Sequence, residues 1–227
     1  LGLDTEKAMA DLEKLSLLIH CWQADDIHGF QAKDFVNCGD NLVTGGYLGG
    51  ARNGDEMRAD LDKALSLIPG RHRIGLMTIY AEPTVKKNDW DEIEPEDYAR
   101  WLDWGKGRIK CFDFLPTLFS HPKVDNDFML AHRDEGIRKF WVDVSKAGRR
   151  ITEHFGREFG CPAVCNHWAP DGSKDTPADR RAPRERLKQS FDEIFSEKLD
   201  HSCIRDAMEG KLFGLSSESY VVGSHEF

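Results

Sequence analysis

Short apolar runs alternate with segments of helical period along the whole 227-residue chain, and this alternation limits the fold more than any single motif. The runs SLLIHCW (16–22), RIGLMTIY (73–80), IKCFDFLP (109–116), CPAVCNHW (161–168) and KLFGLSSES (211–219) read as strands. A helix is expected over 4–15, capped by Asp4, with Met9, Leu12 and Leu15 on one side. Asn53 caps a second, whose stripe is Met57, Leu61, Ala64, Leu65 and Ile68 and which stops at Gly70. Pro95 starts a third, burying Tyr98, Trp101 and Leu102. The longest, from about Asp134 to Phe159, carries Ile137, Phe140, Trp141, Val144, Ile151 and Phe155 on one side, and Pro183 opens the last. Strands separated by helices pair in parallel through right-handed crossovers, so the class is α/β. The Gly-, Asp- and Asn-rich stretch 23–52 reads as one long functional loop.

Two architectures satisfy this order, an open doubly wound sheet and a (β/α) barrel. The first strand-to-helix turn holds neither G-x-G-x-x-G nor a phosphate loop, which argues against the nucleotide-binding open sheet. Polar groups instead follow nearly every strand: His20 and Trp22, Tyr80 and Glu82, Ser120 and His121, Asp171 and Lys174, and Glu218. Functional groups spread over several strand ends are what a barrel offers at its C-terminal face. Strand parity agrees. Phe213 and Leu215 suit outer helices while Gly214, Ser216 and Glu218 suit a crowded interior. Asn166 and Trp168 share one face of the fourth strand, and Cys161, Cys165 and His167 share the other, which would face helices.

The bulk numbers exclude some partners. A net charge of −9, from 40 acidic and 31 basic residues, argues against nucleic acid or an anionic membrane surface. No window approaches the roughly 18 consecutive apolar residues of a membrane span. Six cysteines without a C-x-x-C pair read as free thiols of a reducing cytoplasm. A zinc site from Cys161, Cys165 and His167 lacks a second ligand pair of the usual spacing.

At IHCWQADDIHGF, LFSHP, WAPDGSKD and KLFGLSSESYVVGSHEF the chain resembles the L-rhamnose isomerase family, and the agreement runs in order from end to end. The resemblance implies a (β/α)8 TIM barrel of the xylose-isomerase-like type. It also implies a metal-dependent aldose–ketose isomerase interconverting L-rhamnose and L-rhamnulose, cytoplasmic and homotetrameric. Its divalent ion would be manganese, with zinc, cobalt or magnesium as alternatives. The resemblance assigns Glu218 to the metal. Substrate contacts are expected from His20, Trp22, His121 and Trp168, and catalytic roles from Asp171 and Lys174. Two departures stand out: Leu115 where the family has Asn before the proline, and a shortened glycine-rich loop around Gly45–Gly50.

A closed barrel has eight strands and typically about 250 residues, whereas about five βα units are legible here. The expectation is therefore one barrel domain over 1–227, truncated at the C-terminus and slightly at the N-terminus. Such a fragment would lack later-strand ligands and be silent alone. Another sugar isomerase or epimerase of the same superfamily is the further alternative.

Overall fold

In chain order the elements are α1 (Thr5–Leu12), β1 (Leu18–His20), α2 (Gly54–Leu65), β2 (Arg73–Met77), α3 (Ala99–Gly105), β3 (Cys111–Leu115), α4 (Glu135–Phe159), β4 (Ala163–Trp168), β5 (Gly172–Ser173), α5 (Arg181–Ile194), β6 (Ile204–Glu209) and β7 (Tyr220–Val221). They come from a computed structural model that describes residues 2–20, 30, 51–211 and 220–224. Five strands form one parallel sheet in the order β1-β2-β3-β4-β6, and β5 pairs antiparallel with β7. The spatial order follows the chain order and never reverses. A doubly wound sheet reverses at a switch point, so the arrangement is a partial (β/α) barrel.

The helices form where local chemistry directs. Asp4, Asn53 and Asp134 each accept a hydrogen bond from the backbone N–H three residues on, capping α1, α2 and α4. Gly160, at φ 65°, ends α4 in the left-handed region that suits glycine. One face of the sheet meets these helices and makes the core. Ile74 and Leu76 of β2, Phe112 and Phe114 of β3, and Ala163 and Cys165 of β4 are buried there. Phe155 of α4 and Tyr98 pack beside them, with Tyr98–Phe114, Tyr98–Phe155 and Phe112–Phe155 ring centroids all 5.5 Å apart. A Cβ built on Gly156 would lie 1.8 Å from the Cys203 carbonyl oxygen, so α4 reaches the turn before β6 only because residue 156 has no side chain.

Three expectations need correction. The fifth parallel strand among the described residues is Ile204–Glu209, a run not read as a strand; of 211–219, Lys211 is outside any strand and the rest lies outside the described residues. Its sequence, IRDAME, is poor in β-branched residues and places Asp206 against the helices, so neither propensity nor alternation marks it as a strand. The strand over 73–80 ends at Met77 and turns into a 3₁₀ segment, Thr78–Tyr80. The stripe of the first helix is not buried: Met9, Leu12 and Leu15 are 56–60% exposed. The loop 23–52 lies outside the described residues apart from Phe30, Ala51 and Arg52. Cys111, Cys161, Cys165 and Cys203 are free thiols, and no helix among the described residues is long and apolar enough to cross a membrane.

Candidate active-site face

The second face of the sheet is lined by alternate residues in register. Leu18 and His20 come from β1, Arg73, Gly75 and Met77 from β2, and Cys111, Asp113 and Leu115 from β3. Val164, Asn166 and Trp168 come from β4, and Arg205, Ala207 and Glu209 from β6. Burial alternates with this parity, β4 reading buried at Ala163, Cys165 and His167 and half-buried at Val164, Asn166 and Trp168.

The lower part of this face is closed by charge. Arg73 Nε donates to Asp113 Oδ2 at 2.7 Å, a second guanidinium nitrogen bonds Asp113 Oδ1, and the same nitrogen reaches the Pro162 carbonyl at 3.0 Å. Val164 N–H donates to Asp113 Oδ1 at 2.6 Å, pinning β3 to β4. The hydrogen bonds that Arg73 donates to Asp113 raise its pKa further, outweighing its burial. Gly75 leaves room above this pair: a Cβ there would meet His20 Nδ1 at 3.4 Å.

The upper part, at the C-terminal ends of the strands, is open and polar. Asn166 Nδ2 donates to Glu209 Oε2 at 2.6 Å across β4 and β6. Trp168, directly opposite Glu209 in the register, packs edge-on against Phe119 with centroids 5.7 Å apart. An exposed carboxylate, an amide and an aromatic wall thus meet at adjacent strand ends. Sequence reasoning missed Glu209 because it missed β6. Lys211, two residues on, is 1% exposed and donates from Nζ to the Pro170 carbonyl at 2.9 Å.

The residues expected from sequence divide sharply. His20 and Trp168 lie on the open face, while Trp22 and Glu218 lie outside the described residues. His121 does not reach this face. It is 1% exposed, its Nε2 is 2.8 Å from Asp89 Oδ1, and its Nδ1 accepts the Lys123 N–H at 3.1 Å. Phe140 stacks on it at 5.1 Å and Trp90 lies at 4.6 Å, so the ring is a packed hub behind the β3 loop. Asp171 is fully buried, and its Oδ1 accepts the N–H groups of Met129 and Ala131 at 2.8 and 2.6 Å. Burial raises its pKa despite those bonds, and Oδ2 has no hydrogen-bond partner. The side chain clamps the 129–131 turn and is sealed from solvent. Lys174 is exposed just past β5.

One further cluster has the composition of a metal site. Ligand atoms of Cys165, His167 and Asp206 lie within 4.8 Å of one another on the helix side. Their electrostatics do not suit an ion. Arg149, 3% exposed, already forks onto Asp206, Nε to Oδ1 at 2.9 Å and a terminal nitrogen to Oδ2 at 3.0 Å. His167 Nε2 lies 3.0 Å from the same Oδ1. Burial opposes charge on His167, but Cys165 and Asp206 outweigh it and lift its pKa to about 9. Burial likewise opposes the Asp206 carboxylate, yet His167 and Arg149 hold it down to about 2. A cationic ring and a guanidinium around one carboxylate make an ion cluster, with His167 Nδ1 left without a hydrogen-bond partner, on the helix side where strand parity put His167. Only one of the three ligand atoms in this cluster is the hard oxygen that a manganese-like ion prefers.

Comparison with known proteins bears on the same chain. The family model for "L-rhamnose isomerase (RhaA)" matches residues 1–227. The L-rhamnose isomerase of Lactiplantibacillus plantarum is 50% identical over 227 residues, covering 100% of this chain and 53% of that protein. Those of Listeria monocytogenes serotype 4a and Escherichia coli O17:K52:H18 are 46% and 47% identical, each again over 100% of this chain and 54% of the relative. The chain therefore spans about half the length of the curated relatives it matches.

Proposed function

Because the chain belongs to the L-rhamnose isomerase family, we propose that it forms part of a metal-dependent aldose–ketose isomerase acting on L-rhamnose, with its chemistry at the Asn166–Trp168–Glu209 face. The observation that carries this reading is the register: Trp168 and Glu209 are paired at the C-terminal ends of neighbouring parallel strands, with Asn166 bonded to Glu209 on the same face. The proposal extends to the finer expectations of manganese, a homotetramer, a cytoplasmic location and a single barrel domain over 1–227.

Aldose–ketose isomerisation moves a hydrogen between neighbouring carbons while two adjacent oxygens are polarised. A divalent ion, when bound, supplies that polarisation as a Lewis acid. Glu209 would hold it, and the amide of Asn166 fixes the carboxylate that does so. Trp168 and Phe119 form a flat apolar wall suited to the carbon face of a deoxysugar. His20 lies on the same face, over Gly75, with a ring able to hydrogen-bond a sugar hydroxyl. Lys211, buried beside the mouth with Nζ on the Pro170 carbonyl, holds the loop after β4 in place. The functional assignments of Trp22, Glu218 and Lys174 stand beside these, whereas His121 and Asp171 act by holding the loops that shape the mouth.

Glu209→Gln and Glu218→Gln, compared in the complete enzyme, test the reading. Glu209→Gln keeps volume and removes charge. It should weaken manganese binding and lower turnover about a hundredfold, with metal-free stability changed by no more than ~0.5 kcal/mol. Unchanged metal affinity in Glu209→Gln alongside a loss in Glu218→Gln would move the site to the later segment.

A further inference from the structure

A crevice of about 660 Å³ opens outside the strands, between the turn after β3, the loop after β5 and the first turns of α5. Its apolar wall is Phe128, Ala131, Pro177, Ala182 and Pro183, and its rim carries Arg133 and Arg186. The volume is that of an ordinary small-molecule site. Among the described residues, neither arginine is in an ion pair. The Arg186 Nε donates to the Ala131 carbonyl at 2.7 Å, which aims the rest of the guanidinium without neutralising it. Arg138 stands behind, spending one terminal nitrogen on the carbonyls of His132 and Arg133. Burial first, then repulsion from Arg133 and Arg138, lowers the Arg186 pKa, so three guanidiniums crowd one place.

The carboxylates nearby offset only part of this: Asp179 attracts Arg186, but less than Arg133 or Arg138 repels it. Asp125 lies 3.0 Å from His132 Nε2. Asp179 Oδ1 accepts the N–H groups of Arg181 and Ala182, both at 3.0 Å, closing the start of α5. Like charges brought together with only partial compensation cost stability unless a ligand neutralises them. Guanidinium forks match the oxygens of a phosphate group in geometry as well as charge.

We propose that this crevice binds a phosphate-bearing small molecule, with its phosphate between Arg133 and Arg186 and its organic part against Phe128, Pro177 and Pro183. The site lies at the same end of the sheet as Glu209 and Trp168 but shares no residue with that face, so its occupancy is independent of the proposed isomerase chemistry.

Calorimetric titration of the purified protein at fixed ionic strength tests this with three probes: inorganic phosphate, a hexose 6-phosphate and the unphosphorylated hexose. Both phosphates should bind, and Arg133→Ala should weaken both about tenfold or more. Arg133 is exposed and its side chain makes no hydrogen bond, so that variant keeps the fold. Asp179→Asn, which keeps the cap and removes the opposing charge, should tighten both. Tighter binding of the hexose phosphate than of phosphate, with no effect of Arg133→Ala on the plain hexose, identifies a phosphate monoester as the occupant. Equal affinities identify free phosphate. Absence of phosphate binding below about 10 mM, a weak affinity even for a small anion, or binding indifferent to Arg133→Ala and Asp179→Asn, overturns the proposal.

Discussion

Asp206 and Glu209 lie three residues apart on β6 and meet opposite circumstances. Asp206 points to the helices, where Arg149 and His167 occupy both its oxygens in a closed cluster. Glu209 points to the open face, where only the Asn166 amide holds it and solvent reaches it. Side-chain chemistry alone would rank the first as the metal site, since it combines thiol, imidazole and carboxylate. Charge balance decides otherwise: a carboxylate between two cations is already satisfied, while an exposed one beside an amide keeps its charge for a ligand. On the helix side the charges are spent on one another, and on the open face Glu209 keeps its charge exposed.

The sharpest way to break this contrast is Arg149→Ala. It leaves Asp206 and His167 as a depleted buried pair and frees the carbonyls of Ile194 and Glu197, which Arg149 also holds at 2.7 and 3.0 Å. Loss of one partner from a buried ion cluster costs about 3–5 kcal/mol, measurable by urea unfolding. A loss of only a few tenths would mean the cluster is not closed, and would reopen it as an ion site.

Gly156→Ala tests the packing that holds this face shut. The added methyl collides with the Cys203 carbonyl, and α4 must retreat from the turn before β6. Overpacking of this kind typically costs about 1–3 kcal/mol. The same substitution at Gly160 meets no neighbour but sits at positive φ, so its cost is conformational and should be smaller.

Proton titration separates the faces more gently. The folded pKa of His167, about 9, lies above its ordinary 6.5. Its stabilising contribution is therefore complete below pH 6.5, declines above it and is gone once pH has passed through 9. Asp206, held to about 2 against an ordinary 3.8, contributes fully above pH 3.8 and loses that contribution as pH falls through 2. Melting temperature should drop between pH 7 and 9.5, and this drop should shrink in His167→Gln. A drop of equal size in the variant would place the titrating group elsewhere.

How much of this was legible beforehand follows from which forces write themselves into local sequence. The capped, striped helices α2 and α4 and the parity of Asn166, Trp168 and His167 were readable, because periodicity and capping act within a few residues. β6 was not, because its stability as a strand comes from pairing with β4 and from Arg149, which lies 57 residues away from Asp206. Missing β6 hid Glu209, while Glu218, assigned through the family resemblance, lies outside the described residues. His121 and Asp171 look catalytic as letters after a strand; only burial shows that each is spent on holding a loop. The exposed stripe of α1 makes the converse point, since amphipathic spacing describes a helix without saying what covers it.

Trp168 gives the smallest and most discriminating test. It is half-buried, and its one ring neighbour among the described residues is Phe119. Truncating a fully buried aromatic costs about 3–5 kcal/mol, so Trp168→Ala, losing a partly exposed ring with a single stacked partner, should cost about 1 kcal/mol. If the ring instead serves as a wall for the sugar, the complete enzyme carrying Trp168→Ala should show a KM for L-rhamnose raised about tenfold, the equivalent of about 1.4 kcal/mol of binding, with kcat changed much less. Phe119→Ala should move KM in the same direction by a smaller factor, because Phe119 supports the indole rather than the substrate. A stability loss near that of a core aromatic with unchanged kinetics would return Trp168 to the barrel interior, and leave the proposed chemistry on this face to Glu209, Asn166 and His20.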